Sequence, residues 1–322
     1  MGGTLSMRYL VTGGAGFIGS HTVDELVRRG HEVTVLDDFS TGKPENLDGA
    51  AAQIEVLKSS ITDCEQLRKA CMGVDYVIHL AARTSVPQSV KNPQDTNDIN
   101  VSGMLNVLIA ARDAEVKRVI FSGSTAVYGD TPSLPTSESN SRAPISPYGV
   151  SKLAGEMYGQ VFQRNYGLEF VALRYFNIFG PRQDPGSAYS GVLSLFSAAL
   201  LNGTQPVVYG DGEQSRDFTY VSNVVEANLL ACEAPKAAGL AINIGTGKRY
   251  TLNQTLALLE TITGRPSKAK YFAPREGDIR DSQADISRAV DVLGYQPRVG
   301  FEEGLRQTWK WFCGSQQATS RP

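Results

Sequence analysis

Short apolar runs recur through the first half of the chain, and the stretches between them carry apolar positions at helical spacing. Residues 8–12 read as a strand, 20–29 as a helix closed by Gly30, and 32–36 and 54–57 as two further strands. A helix at 63–72, a strand at 76–80, a long helix at 96–114 and a strand at 118–122 continue the alternation. A helix at 148–166 and a strand at 169–174 complete it. Strands that alternate with helices pair in parallel, because each helix must cross back over the sheet before the next strand begins. The expected architecture is α/β, a doubly wound parallel sheet with helices on both faces.

After Phe176 this regularity ends. Pro and Gly crowd 180–186 and 202–212, and the elements shorten. Residues 177–312 therefore read as a smaller C-terminal α/β domain that closes over the end of the sheet, with 313–322 as a tail. The main domain spans 7–176, and one strand near 241–245 is placed to return to its sheet. Ligands of such sheets bind beyond the carboxyl ends of the strands. The cofactor is thus expected in the first domain and the substrate under the second.

Composition excludes several other classes. With 322 residues, 41% of them hydrophobic, the chain can bury a full core. A net charge of -2 offers no basic face to nucleic acid or an anionic membrane. No apolar run approaches the ~18 residues that span a bilayer, and the first residues lack the pattern of a secretory signal. Four scattered cysteines and three histidines show no metal-ligand spacing, so no metal is expected and a reducing cytoplasm is the expected compartment.

Thr12-Gly13-Gly14-Ala15-Gly16-Phe17-Ile18-Gly19 follows the first strand and opens a helix, satisfying G-x-G-x-x-G from Gly14 and G-x-x-G-x-x-G from Gly13. Absent side chains let the turn tighten and the backbone approach a pyrophosphate, while the helix N-terminus supplies N–H donors. Asp37 lies 18 residues beyond Gly19, at the end of the second strand. There a carboxylate accepts from the ribose hydroxyls and repels a 2'-phosphate, so NAD is expected rather than NADP and the fold reads as Rossmann-type. Asp63 has two readings, a bond to the adenine amino group or the cap of its own helix. His79-Leu80-Ala81-Ala82-Arg83 puts small residues beside the cofactor after the fourth strand.

Tyr148 and Lys152, in Ser146-Pro147-Tyr148-Gly149-Val150-Ser151-Lys152, stand four residues apart and project from one helical face. A phenol of pKa about 10 is a poor base at neutral pH. A neighbouring ammonium and an oxidised nicotinamide favour its phenolate. Ser124, 24 positions upstream, leads off a strand toward the same sheet end. Its alternative role is a turn hydroxyl that satisfies its own backbone.

In this order, the glycine turn, Asp37, His79-Leu80-Ala81-Ala82, Ser122-Gly123-Ser124-Thr125-Ala126-Val127-Tyr128-Gly129, the Tyr148 run and Arg174-Tyr175-Phe176-Asn177 resemble the extended short-chain dehydrogenase/reductase family. Within that family the chain looks most like the nucleotide-sugar 4-epimerases, over about residues 7–312. The resemblance implies that phenolate Tyr148 takes the proton of the sugar C4 hydroxyl while the C4 hydride moves to NAD. The 4-keto sugar then turns in the site and receives the hydride on its other face. Ser124 would bond the C4 oxygen, with Thr125 as an adjacent hydroxyl, and Lys152 would bond the nicotinamide ribose. Gly13, Gly16, Phe17, Ile18, Gly19, Ile61, Leu80, Ala81, Ala82, Asn100, Ser122 and Phe176 complete the implied cofactor set. Related dehydratases and decarboxylases carry acids just after the catalytic hydroxyl. Thr125 and Ala126 stand there in this chain, which disfavours both reactions.

For the substrate the resemblance implies that Asn177 meets phosphate, Arg216 and Arg275 clamp the diphosphate, and Asp278 accepts from the uridine ribose. Gly191, Val192, Val207 and Tyr209 would line the uracil. Ser282 matches the position facing the sugar C2 substituent, where glucose-restricted members carry tyrosine. A small residue admits an N-acetyl group, so UDP-N-acetylglucosamine and its galacto epimer are expected alongside UDP-glucose and UDP-galactose. UDP-glucose as main or sole substrate stays open, and UDP-glucuronate ranks third, since Asp184 would repel its carboxylate where glucuronate epimerases tend to carry arginine. A homodimer through the helices at 96–114 and 148–166 is the family habit. The alternative of a different class is a non-catalytic NAD sensor, a kind of protein that often lacks the Tyr/Lys pair or the serine.

Overall fold

The computed structural model describes residues 6–131, 133–184, 191–274 and 279–319. Its first half runs β1 (Arg8–Thr12), α1 (Phe17–Arg28), β2 (Glu32–Asp37), β3 (Ile54–Lys58), α2 (Cys64–Cys71), β4 (Tyr76–His79), α3 (Val86–Lys91) and α4 (Pro93–Asn97). α5 (Gly103–Asp113), β5 (Arg118–Ser124), α6 (Pro147–Tyr166), β6 (Glu169–Tyr175) and β7 (Ile178–Phe179) follow. The second half comprises α7 (Val192–Leu201), β8 (Val207–Tyr209), β9 (Ser215–Arg216), β10 (Thr219–Tyr220), α8 (Val221–Glu233) and β11 (Ala241–Ile244). It ends with β12 (Tyr250–Thr251), α9 (Leu252–Thr263), β13 (Lys270–Phe272), α10 (Ser287–Leu293) and α11 (Phe301–Thr319).

Seven parallel strands form one sheet in the order β11-β6-β5-β4-β1-β2-β3. β11 returns from the second half to pair with β6, as its apolar run predicts. The period-two alternation of each strand sorts its side chains between two cores. Tyr9, Val11, Ile78, Ile120, Val171 and Leu173 pack on one face with residues of α1 and α8, Val23, Leu26 and Val224 among them. Leu10, Val77, Val119, Phe121, Phe170 and Ala172 pack on the other with residues of α2 and α5, such as Leu67 and Val107. A third core packs Phe179 of β7 with Phe196, Phe218, Leu256 and Phe301 of the second half. It is tied to the sheet by Asp217, whose buried carboxylate accepts from Thr246 N, Gly247 N and Ala284 N at 2.9–3.1 Å.

Three elements depart from the sequence expectation, and each departure bears on the site. α1 starts at Phe17, three residues earlier than its pattern suggests, because a turn containing Gly19 has weak helical signal. β5 runs on through Ser122-Gly123-Ser124, held by pairing with Leu173, Arg174 and Tyr175 of β6. The single long helix expected at 96–114 is α4 and α5 joined by a wide π-turn over Asp98–Ser102, which contains Asn100.

Candidate active site

A cleft of about 950 Å³ opens where the strand order reverses, beyond the carboxyl ends of β1 and β4. Gly13 passes so close to the chain after β4 that a Cβ there would meet Ala81 N at 2.7 Å. At Gly19 a Cβ would meet Gly13 O at 2.1 Å. The glycine turn therefore lies flat against the cleft floor. No side chain caps α1, so its first-turn N–H groups remain available to an anion. Asp37, at the end of β2, accepts from Ala15 N at 2.9 Å and Phe39 N at 2.8 Å. Burial pushes its carboxyl above the ordinary range and these two donors oppose the shift. A bare helix terminus, a backbone cradle and a carboxylate at the second strand fit the pyrophosphate and ribose of a dinucleotide.

Across the cleft floor, α6 is capped by Ser146, whose Oγ accepts from Gly149 N at 3.1 Å, with Pro147 in its first turn. Tyr148 and Lys152 lie on its inward face and line the cleft. Lys152 is 3% exposed and donates to Ser122 O at 2.8 Å and Ser122 Oγ at 3.2 Å. Its ammonium stands 4.9 Å from the centre of the Phe121 ring and 5.8 Å from that of Tyr148. Burial lowers the Lys152 pKa to about 7, with the Glu156 charge opposing. Burial raises the Tyr148 phenol, and its hydrogen bond with Ser124 works against that rise. Ser124 Oγ also accepts from Ala126 N at 3.2 Å, so the hydroxyl caps its turn while facing the phenol.

Asn100 occupies the π-turn behind this pair. Its Nδ2 donates to Arg83 O at 2.9 Å and Ser151 Oγ at 3.0 Å, and its Oδ1 accepts from Arg83 N at 2.7 Å. The amide thereby joins α6 to the loop after β4.

A second cavity, of about 520 Å³, lies under the second half and is lined by Gly191, Val192, Phe196, Val207, Tyr209 and Arg216. Asn177, Ile178, Gln183 and Gly191 line both cavities, so the two meet there. Asn177 holds the junction with a left-handed backbone (φ 28°). Ser282 Oγ lies 3.4 Å from Asn177 Nδ2.

The structure thus brings Gly13, Gly16, Phe17, Ile18, Gly19, Asp37, Ile61, Leu80, Ala81, Ala82, Ser122, Ser124, Thr125, Tyr148 and Lys152 to one cleft. Four expected residues stand off the walls. Asp63 is the N-cap of α2, accepting from Glu65 N and Gln66 N at 3.1 Å, which is the capping half of its two readings. Phe176 does not reach the cofactor wall, a correction to its assignment: it is 1% exposed and packs against Val127, Tyr128 and Ala284. Asn100 stands behind α6, and Ser282 stands behind Asn177. Arg275 and Asp278 lie outside the described residues.

Sequence reasoning missed the closure of the cleft. Pro181 O accepts from His21 Nε2 at 2.9 Å, Arg182 pairs with Asp24 at 2.7 Å, and Asp184 pairs with Lys43 at 3.3 Å. The polar run 38–46 after Asp37 and the run Arg182-Gln183-Asp184 are the only local signals of this clamp. Among the described residues no group of three or more His, Cys, Asp or Glu side chains could hold a metal, and no helix is long and apolar enough to cross a membrane.

Fold and cleft together define the class, an NAD-dependent enzyme on a Rossmann-type sheet, with a tyrosine–lysine pair lining its cleft. The chain belongs to the NAD dependent epimerase/dehydratase family, which it matches over residues 9–245, and it is an isomerase. It is 39% identical over 315 residues to the UDP-glucose 4-epimerase of Mycolicibacterium smegmatis, covering 97% of this chain and 100% of that one. Among solved structures it resembles the UDP-N-acetylglucosamine 4-epimerase of Methanobrevibacter ruminantium M1 in complex with UDP-N-acetylmuramic acid. That likeness has a TM-score of 0.93 and 43% identity, over 97% of this chain and 100% of the other. The UDP-glucose 4-epimerase of Thermotoga maritima with UDP-glucose gives a TM-score of 0.92 and 43% identity, over 96% and 100%. Equal identity to an acetamido-sugar enzyme and a glucose enzyme leaves the choice of sugar to the site residues.

Proposed function

We propose that the protein interconverts UDP-hexoses at C4, accepting the UDP-N-acetylglucosamine/galactosamine pair as well as UDP-glucose and UDP-galactose. The observation that carries this reading is the Tyr148–Ser124–Lys152 group, Lys152 buried and the other two half-buried, in a cleft that shares Asn177 with the second cavity. When bound, NAD supplies reversible acceptance of a hydride. Tyr148 takes the C4 hydroxyl proton and later returns it, and the Lys152 charge lowers the energy of the phenolate. Ser124 donates to the C4 oxygen as it gains carbonyl character. Thr125 and Ala126 offer no acid for elimination or decarboxylation.

The second half holds the nucleotide in this reading. Val207, Tyr209, Gly191 and Val192 receive uracil, and Arg216, with Arg275, forks onto the diphosphate. Asp278 accepts from the ribose. Ser282 stands one side chain behind the junction, so a bulky residue there presses Asn177 into the space of a C2 substituent. The protein works as a homodimer through α5 and α6.

The test is to incubate purified protein, without added cofactor, with UDP-glucose, UDP-N-acetylglucosamine and UDP-glucuronate, reading C4 stereochemistry by NMR. Both neutral sugars are expected to epimerise and the uronate to lag. Ser282→Tyr is expected to lower acetamido turnover at least about tenfold, the scale of a misfitted group in a pocket, while sparing UDP-glucose. Equal loss on both sugars would falsify the gate.

A further inference from the structure

One turn beyond Lys152 on α6 lies Glu156, which no step of the proposed reaction uses. It is 0% exposed. Its carboxylate is gripped by Arg174 of β6, 2% exposed, through Nε at 2.9 Å and Nη2 at 2.6 Å. Arg174 Nη1 donates to Tyr128 OH at 2.8 Å, and Tyr128 OH donates to Asn243 Oδ1 of β11 at 2.6 Å. Asn243 Nδ2 in turn donates to Thr136 O at 2.9 Å. The chain of bonds therefore ties α6 to β6, β11 and the segment before α6.

The pair packs against the strand end that carries the proposed reacting groups. Gly123 lies between Ser122, which receives the Lys152 ammonium, and Ser124, which meets the phenol. A Cβ on Gly123 would come within 3.2 Å of Glu156 Oε1 and 3.0 Å of Leu173 O. The carboxylate thus occupies the space beneath the end of β5. A buried ion pair is weak evidence for stability, since two hydrophobic residues of similar volume often serve as well. Its location calls for another role.

We propose that Glu156 is a positioning residue: clamped by Arg174 and one helical turn from Lys152, it sets the end of β5 that carries Ser122 and Ser124 and so the seat of the Lys152 ammonium. This rests on the reading of Tyr148 and Lys152 as the base and its partner. The groups that face Lys152 are Glu156 and Tyr148 on its own helix, Ser122 and the Phe121 ring on β5, and His79 on β4. His79 is buried and neutral, its pKa lowered to about 3 by burial and by the Lys152 charge. Facing Glu156 are Arg174 and, through it, Tyr128; Glu138 joins the network through Asn243 N and Arg288, and its charge also bears on Tyr128. The Glu156 charge favours the ammonium and works against the effect of burial.

Removing that charge disfavours the ammonium, so the Lys152 titration moves to lower pH. The test compares wild type with Glu156→Gln and with Glu156→Gln/Arg174→Gln, which leaves no unpaired guanidinium in the core. Lys152 is titrated in cofactor-free protein carrying ¹³C-labelled lysine, its signal assigned by absence in Lys152→Met. In parallel, kcat is measured against pH on UDP-glucose. The expected result for the double variant is a lower Lys152 midpoint, by half a unit or more in order of magnitude. Its alkaline limb of kcat should shift the same way, with kcat at neutral pH down about tenfold. A double variant that melts lower yet keeps the wild-type midpoint and pH profile would overturn the proposal and leave a structural brace. Because the NMR titration needs no turnover, it decides on Glu156 even if wild type epimerises none of the sugars, an outcome that defeats only the functional reading.

Discussion

Burial brings the Lys152 ammonium down to about 7, so its charge changes close to neutral pH. The same burial acts on stability. The folded value lies below the unfolded value of about 10.4, so between these pH values the unfolded chain binds more protons, and stability rises with pH. The cost of the buried charge is present in full below about pH 7 and is lost as pH climbs toward 10. Measured on cofactor-free protein by thermal melting, wild type should therefore gain on Lys152→Met between about pH 6.5 and 9.5, by a few kcal/mol in order of magnitude. The variant itself should show no turnover. A stability difference that does not change with pH would mean that the ammonium is solvated in the free enzyme.

At the scale of elements, the site depends on three chain segments ending in the right place. α1 must start uncapped against the glycine turn, β5 must run to Ser124, and α6 must begin one residue before Tyr148. Gly19→Ala puts a methyl 2.1 Å from Gly13 O and 2.8 Å from Gly14 Cα, where only backbone movement can relieve it. Overpacking of this kind costs roughly 1–3 kcal/mol. It falls on the cradle rather than on the core. The expected outcome is a folded protein, with normal circular dichroism, that purifies with little bound nicotinamide. Retention of wild-type cofactor content, read by absorbance after denaturation, would show that the turn has room to spare.

At the scale of the molecule, the residues 181–184 fasten the second half over the cofactor cleft through His21, Asp24 and Lys43. The outer face of α6 is left bare. Val150, Met157 and Val161 are 54%, 51% and 47% exposed and share that face, with Tyr158 beside them. The reading of a homodimer assigns this stripe to a second copy. Sedimentation equilibrium should then give twice 34.8 kDa for wild type and a single mass for Val150→Glu/Met157→Glu. A wild type that stays monomeric at micromolar concentration would remove the seam. A monomeric variant that keeps its turnover would show that each copy holds a complete site.

Alternation and turn residues along the chain determined the sheet, its helices and the positions of Gly13, Asp37, Ser124, Tyr148 and Lys152. Each of these signals is local: a period of two or 3.6, a glycine where backbone must approach, two side chains one turn apart. Tertiary structure alone decided what those groups meet. The Glu156–Arg174 pair, the clamp of 181–184 on α1, the retreat of Phe176 into the core and the junction at Asn177 join residues distant in sequence. Burial and pairing depend on which surfaces the whole fold presses together, and no spacing along one segment records that.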